Sequence, residues 1–241
     1  MITLCLDFGN TRLKYAVFRQ QVMLEENNLI NDHTDTMEDL LKRFNPQKTI
    51  LSSVISHNPE LEKLLAAKTA FHRLSHLSQL PFTTPVANPA SIGADRLALC
   101  AAAVDLFPGK NNLAIGLGTC ITYNFINKNR EFIGGSISPG MDIRFRSLET
   151  FTAKLPLIKE NWNFPLMGYD TSSNILSGVI LGMAKEIDGI VEAYGEKYNN
   201  LNILLTGGNA AYFVPLLKNR IFADPYLIFK GLYAISEANE R

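Results

Sequence analysis

Two segments of the chain share one pattern, in which an apolar run ends in a glycine turn and an alternating apolar and polar run follows. The first is ITLCLDF, followed by a turn at residues 9–11 and alternation over residues 13–17. The second is NLAIGLGTCITYNFI, with its turn at Gly118 and Thr119. Because alternation with a period of two is typical of half-buried strands, each segment predicts a β-hairpin. The turns lie about half the chain length apart, which indicates either duplicated lobes or a chance likeness of a short pattern.

Helical spacing fills the segments between these hairpins. Leu61, Leu64 and Leu65 predict one helix, and ADRLALCAAAVDLF predicts an Ala-rich helix that ends before Pro108. The runs TILSSVI and NILLTG predict buried strands, and the segment after Pro225 predicts a closing helix. Strands that alternate with helices in both halves indicate an α/β architecture with two lobes.

A long helix is predicted in the second half, where an apolar stripe runs over residues 175–194. Thr171 or Ser172 is expected to cap its start, because hydroxyl side chains satisfy the exposed N–H groups there. Gly178 and Gly182 stand four residues apart, so they share one face of this helix and are expected to permit close packing.

Composition and charge narrow the class of protein. The 241 residues are 46% apolar and 19% charged, which suffices for a buried core and excludes global disorder. The 23 Lys and Arg balance 23 Asp and Glu, so no overall positive field favours nucleic acid or a membrane surface as partner. Three scattered cysteines favour neither a disulfide framework nor structural zinc. Without a signal-like or membrane-spanning run, a soluble cytoplasmic protein is expected.

The DFGNT turn at residues 7–11 is the first candidate site. Asp7 stands where a buried strand ends, and the turn after it exposes several backbone N–H groups. Such groups can hold a phosphate, while the carboxylate can face a magnesium ion directly or through water. A plain hairpin turn is the alternative, because Asp, Gly and Asn are common turn residues. The further glycine turns GLGT at 116–119 and LTGGNA at 205–210 favour the phosphate interpretation, since three turns could converge on one nucleotide in an interlobe cleft.

The segment SIGADRLA at residues 91–98 is the second candidate site. Asp95 and Arg96 stand just inside a predicted helix start, where exposed N–H groups favour a bound anion. The alternative is that Asp95 is only a favourable first-turn charge. In a cleft, Asp95 would accept the proton of a hydroxyl that attacks a phosphoryl group, for which an ordinary Asp pKa suffices. Arg96 would then bind a substrate carboxylate.

Other residues predict less chemistry. His72 and His76 stand four apart without the intervening Glu of a metalloprotease motif, so no metal site is predicted there. Arg144 and Arg146 follow the GGSISPG loop and are expected to be solvated on a helix. Cys120 has no base partner visible in the sequence, and the glycine motifs of P-loop and Rossmann proteins are absent. Nucleophilic catalysis is therefore not predicted.

Taken in order, these motifs resemble the type III pantothenate kinases, whose superfamily includes acetate kinase, sugar kinases, heat-shock chaperone ATPases and actin. The resemblance covers nearly the whole chain. It rests on DFGNT with Lys14, GADR at 93–96, GxGTxxT at 116–122, GGSISPG at 134–140, TAKLP at 152–156, TSSNILSGV at 171–179 and the LTGGNA turn.

The resemblance implies an actin-like ATPase fold of class α/β, with two duplicated ribonuclease H-like lobes whose mixed sheets are flanked by helices. The N-terminal lobe is expected at residues 1–111, with the first phosphate turn and the GADR motif. The C-terminal lobe is expected at residues 112–241, with the second phosphate turn, the GGSISPG loop and the adenosine-side TGG turn.

The implied activity is the ATP-dependent phosphorylation of pantothenate to 4'-phosphopantothenate, the first step of coenzyme A biosynthesis. Asp95 matches the family's proton acceptor, and Mg²⁺ is expected near Asp7, through water. A homodimer with the pantothenate site near its interface is also implied. The residues implied in ATP binding are Asp7, Phe8, Gly9, Asn10, Thr11, Arg12, Leu13, Lys14 and Thr119, and those implied in substrate binding are Gly93, Ala94, Asp95, Arg96 and Thr171.

Two positions depart from the family pattern. The family's second phosphate turn usually begins with an Asp that ligates a monovalent cation, and Gly116 stands there without a side-chain ligand. A requirement for K⁺ or NH₄⁺ is therefore left open. Val86 replaces a substrate-contacting Tyr that often precedes the GADR motif. Two alternative functions also stay open, a phosphotransferase for another small hydroxyl substrate and a non-catalytic, nucleotide-sensing regulator of the same fold.

Overall fold

The computed structural model describes residues 1–239, which form two five-stranded sheets and seven α-helices within that range. The strands are β1 (Ile2–Phe8), β2 (Leu13–Arg19), β3 (Val22–Leu29), β4 (Lys48–Ser53), β5 (Ala70–Arg73), β6 (Asn111–Leu117), β7 (Cys120–Ile126), β8 (Phe132–Pro139), β9 (Leu201–Gly207) and β10 (Phe222–Ala223). The helices are α1 (Thr34–Phe44), α2 (Pro59–Lys68), α3 (Ala94–Leu106), α4 (Met141–Thr150), α5 (Thr171–Lys197), α6 (Ala210–Phe213) and α7 (Leu227–Ala238).

The two sheets have the same strand arrangement. The first has the order β3-β2-β1-β4-β5. Taken from the corresponding edge, the second has the order β8-β7-β6-β9-β10, so β1 to β5 match β6 to β10 in chain order. In the first sheet β1 is antiparallel to β2 and parallel to β4, and in the second β6 is parallel to β9. Both predicted hairpins, β1–β2 and β6–β7, are confirmed. The matched orders also confirm the predicted duplication of mixed sheets, because a chance likeness of two turns would not extend to ten strands.

Packing divides the chain into two units. The first holds residues 1–109, 126–134 and the described residues from 226 onward, and the second holds residues 110–125 and 135–225. The sequence predicted one division, between residues 111 and 112, whereas by packing two later segments join the first unit. Among residues 1–239, no helix has the combination of length and apolar content that would span a membrane.

Helix α3 is the buried centre of the first unit. Nine of its residues are buried, and the helix packs closely against α7. A Cβ at Gly231 of α7 would overlap the carbonyl oxygen of Ala98, so the two helices approach at a distance that only glycine allows. The predicted helix before Pro108 is confirmed, and its fixed position also fixes Asp95 in its first turn.

The start and one face of α5 differ from the prediction. The N-cap is Asp170 rather than Thr171 or Ser172, because its carboxylate accepts the N–H of Ser173 at 2.7 Å while the Ser173 hydroxyl accepts the N–H of Asp170. Gly178 and Gly182 do share one face, but a Cβ at either position would meet open space. Within the described chain these glycines therefore serve no close packing.

Thiol chemistry follows from this packing. Cys5 and Cys100 are completely buried, and burial raises the pKa of both thiols well above the ordinary value, whereas Cys120 is partly accessible. We expect a thiol reagent such as Ellman's reagent to modify one cysteine rapidly in the folded protein and three in denaturant. Loss of that rapid reaction in Cys120→Ser, with Cys100→Ser as control, would identify the thiol. Rapid modification of all three cysteines in the folded protein would contradict the burial of Cys5 and Cys100.

Candidate active site

Asp7 lies near the carboxyl end of β1, between a cation and a hydroxyl. In the sheet register it stands beside Lys14 of β2 and Ser52 of β4. The Ser52 hydroxyl lies 3.2 Å from Oδ1 of Asp7 and donates to it. Lys14 also forms an ion pair with Glu26, with Nζ 3.7 Å from Oε1. The register of three strands, rather than spacing along one of them, therefore builds the surroundings of this carboxylate.

The turn after β1 is tight and open to solvent. The N–H of Gly9 donates to the carbonyl of Arg12 at 3.1 Å, and the side chains of residues 10–12 are exposed. Phe8 is fully buried, and Leu13 packs against the same core cluster. Of the residues implied in ATP binding, Phe8 can therefore offer only its backbone, while residues 10–12 present both backbone and side chains.

Asp95 is the second residue of α3, and Gly93 is the N-cap of that helix. A Cβ at Gly93 would lie 2.5 Å from Oδ1 of Asp95, so the missing side chain makes room for the carboxylate. The carboxylate accepts the backbone N–H of Arg96, and the Arg96 guanidinium lies 5.6 Å over the ring centre of Phe132. The GADR motif thus places a carboxylate and a guanidinium at one helix start, and a side chain at Gly93 would displace the Asp95 carboxylate from its present position.

Both carboxylates have a raised pKa, and the charge of Asp95 contributes to the rise at Asp7. Burial, and then the charge of Asp95, raise the pKa of Asp7 to about 7, against the opposing effects of Ser52 and Lys14. Burial also raises the pKa of Asp95, although the Arg96 N–H and guanidinium oppose the rise. An ordinary Asp pKa would suffice for a base, and the pKa of Asp95 is higher than that. Two desolvated acids at one place are typical of a site that binds a cation or transfers a proton.

His57 packs against Phe8, the residue that precedes the Gly9 turn, although the sequence indicated no role for this histidine. Its Nδ1 lies 2.9 Å from the Ser53 hydroxyl, and its Nε2 lies 2.9 Å from Oε1 of Glu62. The edge of its ring packs against the ring of Phe8 at a centroid distance of 5.5 Å. These residues come from a strand end, a loop and a helix, so no periodic pattern could have indicated the cluster.

Two glycine turns lie side by side in the second unit. Because β6 and β9 are parallel and Leu117 pairs with Gly207, the GLGT and TGG turns leave the same edge of the sheet. Gly207 has a positive φ of 115°, and a Cβ there would overlap the carbonyl oxygen of Leu117. The second and third glycine turns of the sequence are therefore neighbours.

The GGSISPG segment is not the predicted loop, because residues 134–139 belong to strand β8; its last residue, Gly140, lies against the GLGT turn. The N–H of Gly140 donates to the carbonyl of Thr119 at 3.0 Å, and a Cβ at Gly140 would overlap the carbonyl oxygens of Gly118 and Thr119. Arg144 is not solvated as expected, because only 22% of its side chain is exposed and its Nε donates to the carbonyl of Pro139 at 2.8 Å. Arg144 also forms an ion pair with Glu186 of α5. Because Glu186 is distant from Arg144 along the chain, nothing in the sequence indicated this ion pair.

The remaining predicted residues occupy defined places. Thr171 is the first residue of α5 and is exposed. Gly116 lies within β6 beside Thr206 of β9, and Val86 is partly buried in the loop before α3. Within residues 1–239, no three His, Cys, Asp or Glu side chains gather as a metal site. A divalent cation beside Asp7 would therefore take most of its ligands from phosphate and water, which is the usual coordination of Mg²⁺.

Comparisons with known proteins agree with this arrangement. The family model for type III pantothenate kinase matches residues 3–193. A type III pantothenate kinase of Christiangramia forsetii is 42% identical over 241 residues, covering 99% of both chains. That of Cytophaga hutchinsonii is 38% identical over 239 residues, covering 99% of this chain and 100% of the other.

Solved structures show the same fold at much lower identity. A protein from Campylobacter jejuni described as a Baf family transcriptional activator is 21% identical, with a TM-score of 0.60 over 98% of both chains. A protein from Listeria monocytogenes described as an N-acetylmannosamine kinase is 13% identical, with a TM-score of 0.55 over the full length of both chains. The fold is thus the actin-like, sugar-kinase fold expected from the sequence, and on the family match the chain belongs to the type III pantothenate kinases.

Proposed function

We propose that the protein transfers the γ-phosphoryl group of ATP to the terminal hydroxyl of pantothenate. The observation that supports this most directly is that two desolvated carboxylates, Asp7 of the DFGNT segment and Asp95 of the GADR motif, both have a raised pKa in a member of this family, with the charge of Asp95 adding to the rise at Asp7. A regulator that only senses nucleotide has no need of a second desolvated acid at a helix start. A phosphotransferase needs one acid near the phosphates and another near the attacking hydroxyl.

In this proposal Asp95 is the general base. Its carboxylate accepts the proton of the pantothenate hydroxyl while that oxygen bonds to phosphorus and the bond to the ADP oxygen breaks. The raised pKa of Asp95 makes it a stronger proton acceptor than an exposed Asp, which favours the transfer at neutral pH. Arg96 binds the carboxylate of pantothenate, and Gly93 and Ala94 shape the same stretch.

Asp7 would hold Mg²⁺, directly or through water. The residues fit such an ion, because two desolvated carboxylates leave an excess of negative charge that the 27%-exposed Lys14, itself paired with Glu26, offsets only in part. When bound with ATP, Mg²⁺ neutralises charge on the phosphates. In this proposal the backbone of residues 10–12 and the Lys14 ammonium bind phosphate oxygens, and Thr119 of the GLGT turn is a further phosphate ligand.

The direct test is ADP release with purified protein, ATP and Mg²⁺, with and without pantothenate. We expect release that depends on pantothenate and not on a panel of other small alcohols. Release with a different alcohol would favour another phosphotransferase, and nucleotide binding without turnover would favour a regulator.

Because Gly116 offers no side-chain ligand, we expect rates in KCl, NH₄Cl and tetramethylammonium chloride to agree within about twofold at equal ionic strength. We place the reaction in the cytoplasm, where free thiols persist.

We also propose a homodimer whose interface includes the start of α5. Leu166, Met167 and Tyr169 are each more than four-fifths exposed, which is unusual for a cluster of large apolar side chains. The Ser177 hydroxyl donates to the carbonyl of Leu166 at 2.7 Å, so this segment lies along α5 beside the open Gly178 position. A second copy of the chain would cover this surface and lie close to Thr171.

Charge placed on this surface is expected to separate the subunits. Leu166→Asp should convert a species with the mass of two chains to a monomer in light scattering, because the carboxylate would lose its hydration in the interface. Leu77→Asp is the matched control, since Leu77 is 82% exposed and Leu166 is 83% exposed. A dimeric Leu166→Asp variant, or a monomeric wild type, would exclude this interface.

A further inference from the structure

Glu186 of α5 and three other side chains of the second unit form one hydrogen-bonded cluster. The Tyr123 hydroxyl donates to Oε1 of Glu186 at 2.9 Å, and the Ser138 hydroxyl donates to Oε2 at 3.1 Å. The Arg144 guanidinium forms a close ion pair with the same Oε2 and also donates to the Ser138 hydroxyl at 3.0 Å. Arg144 and Glu186 expose only 22% and 23% of their side chains. We refer to these four residues as the Glu186 cluster.

The Glu186 cluster is connected to the backbone of the second glycine turn by two short paths. On one side, Arg144 donates to the carbonyl of Pro139, and the next residue, Gly140, donates to the carbonyl of Thr119. On the other side, Tyr123 lies on β7, which begins directly after Thr119. The GLGT turn, β7, the Glu186 cluster and the end of β8 with Gly140 therefore form a closed ring of contacts.

We propose that Arg144 and Glu186 are positioning residues that hold the Thr119 turn in its phosphate-binding conformation. This inference rests on the proposed function, because it takes Thr119 as a phosphate ligand. Arg144 and Glu186 touch neither Thr119 nor a substrate in the proposal; they act through the backbone of Pro139 and Gly140.

The residue types suit this role. Guanidinium is a planar fork that can donate to a carbonyl, a hydroxyl and a carboxylate at once, whereas a Lys ammonium on a flexible stem cannot reproduce that geometry. Glu186 accepts from three donors, so its charge is satisfied although it is largely withdrawn from water. Burial and the nearby Glu186 charge raise the pKa of Tyr123 far above the ordinary value, so its hydroxyl stays protonated and keeps donating.

The test compares Arg144→Met with Arg146→Met, which makes the same change on the exposed side of the same helix. For Arg144→Met we expect the KM for ATP and the Kd for ATP from calorimetric titration to rise about tenfold, with the KM for pantothenate changed less than about twofold. Arg146→Met should leave all three within about twofold of wild type. Arg144→Lys should not restore ATP affinity, because it keeps the charge without the fork.

Tyr123→Phe removes one hydroxyl from the ring and covers the case in which Arg144→Met fails to fold; we expect it to weaken ATP binding about threefold. A folded Arg144→Met or Tyr123→Phe with wild-type ATP affinity, even with a lowered melting temperature, would show that the cluster is only structural and overturn the proposal. If wild-type protein lacks pantothenate-dependent turnover, the proposed function fails. The ATP titrations still decide the positioning role in that case.

Discussion

Asp95→Asn is expected to lower kcat by a factor of about 10² to 10⁴, the usual contribution of a general base, while the affinity for ATP stays close to wild type. Asn has nearly the size and shape of Asp, so the space that Gly93 leaves remains filled. It cannot accept a proton from the attacking hydroxyl. Steady-state kinetics with both substrates, together with calorimetric titration of ATP, separate the loss of chemistry from a loss of binding.

Asp105→Asn is the matched control for this prediction, because it makes the same change on the exposed end of the same helix, α3. It should retain wild-type kcat. Near-normal turnover in Asp95→Asn would remove the base role, and an equal loss in both variants would point to a general effect on the helix. In wild type, kcat/KM should fall toward acid pH, since the catalytic form needs an ionised Asp95. The apparent pKa values of that profile belong to the Asp7 and Asp95 pair.

The parts of the site that follow from local pattern could be predicted. Asp7 comes at the end of an apolar run and before a glycine turn, and Asp95 comes at the start of an Ala-rich helix. Both placements depend only on residues a few positions away, which is the range over which turn and helix signals act. The fold class followed because the same hairpin pattern occurs twice.

What could not be predicted depends on contacts between distant segments. Ser52 bonds to Asp7 only because β4 pairs with β1 in one register, and Arg144 meets Glu186 only because α4 packs near α5. The prediction of the α5 N-cap was wrong for a different reason. Asp170, Thr171 and Ser172 are consecutive and are all residue types that cap helices, so local preference does not choose among them. The raised pKa of Asp95 arises from burial, which no local pattern expresses.

Asp7→Asn is expected to abolish activity and yet stabilise the ligand-free protein at high pH. The pKa of Asp7 is about 7 in the folded protein and close to 3.8 when the chain is unfolded. At about pH 3 and below the carboxyl is largely protonated in both states and contributes little. Between about pH 3 and pH 7 the folded state binds more protons than the unfolded state, so the free energy of unfolding falls as pH rises. Above pH 7 the full penalty is present.

Asn is neutral at every pH, so Asp7→Asn lacks this penalty. A difference of about three pKa units sets an upper limit of about 4 kcal/mol on the stability gained at pH 8, and the gain should fall close to zero at about pH 3. Urea unfolding at both pH values measures it, with Asp39→Asn on the exposed face of α1 as control. A variant less stable than wild type at pH 8 would contradict the raised pKa. Asp7→Asn is thus expected to lower activity and raise stability, and both effects follow from the proposed role of Asp7. A desolvated carboxylate close to a second carboxylate destabilises the protein without ligand, and a bound cation would remove that destabilisation.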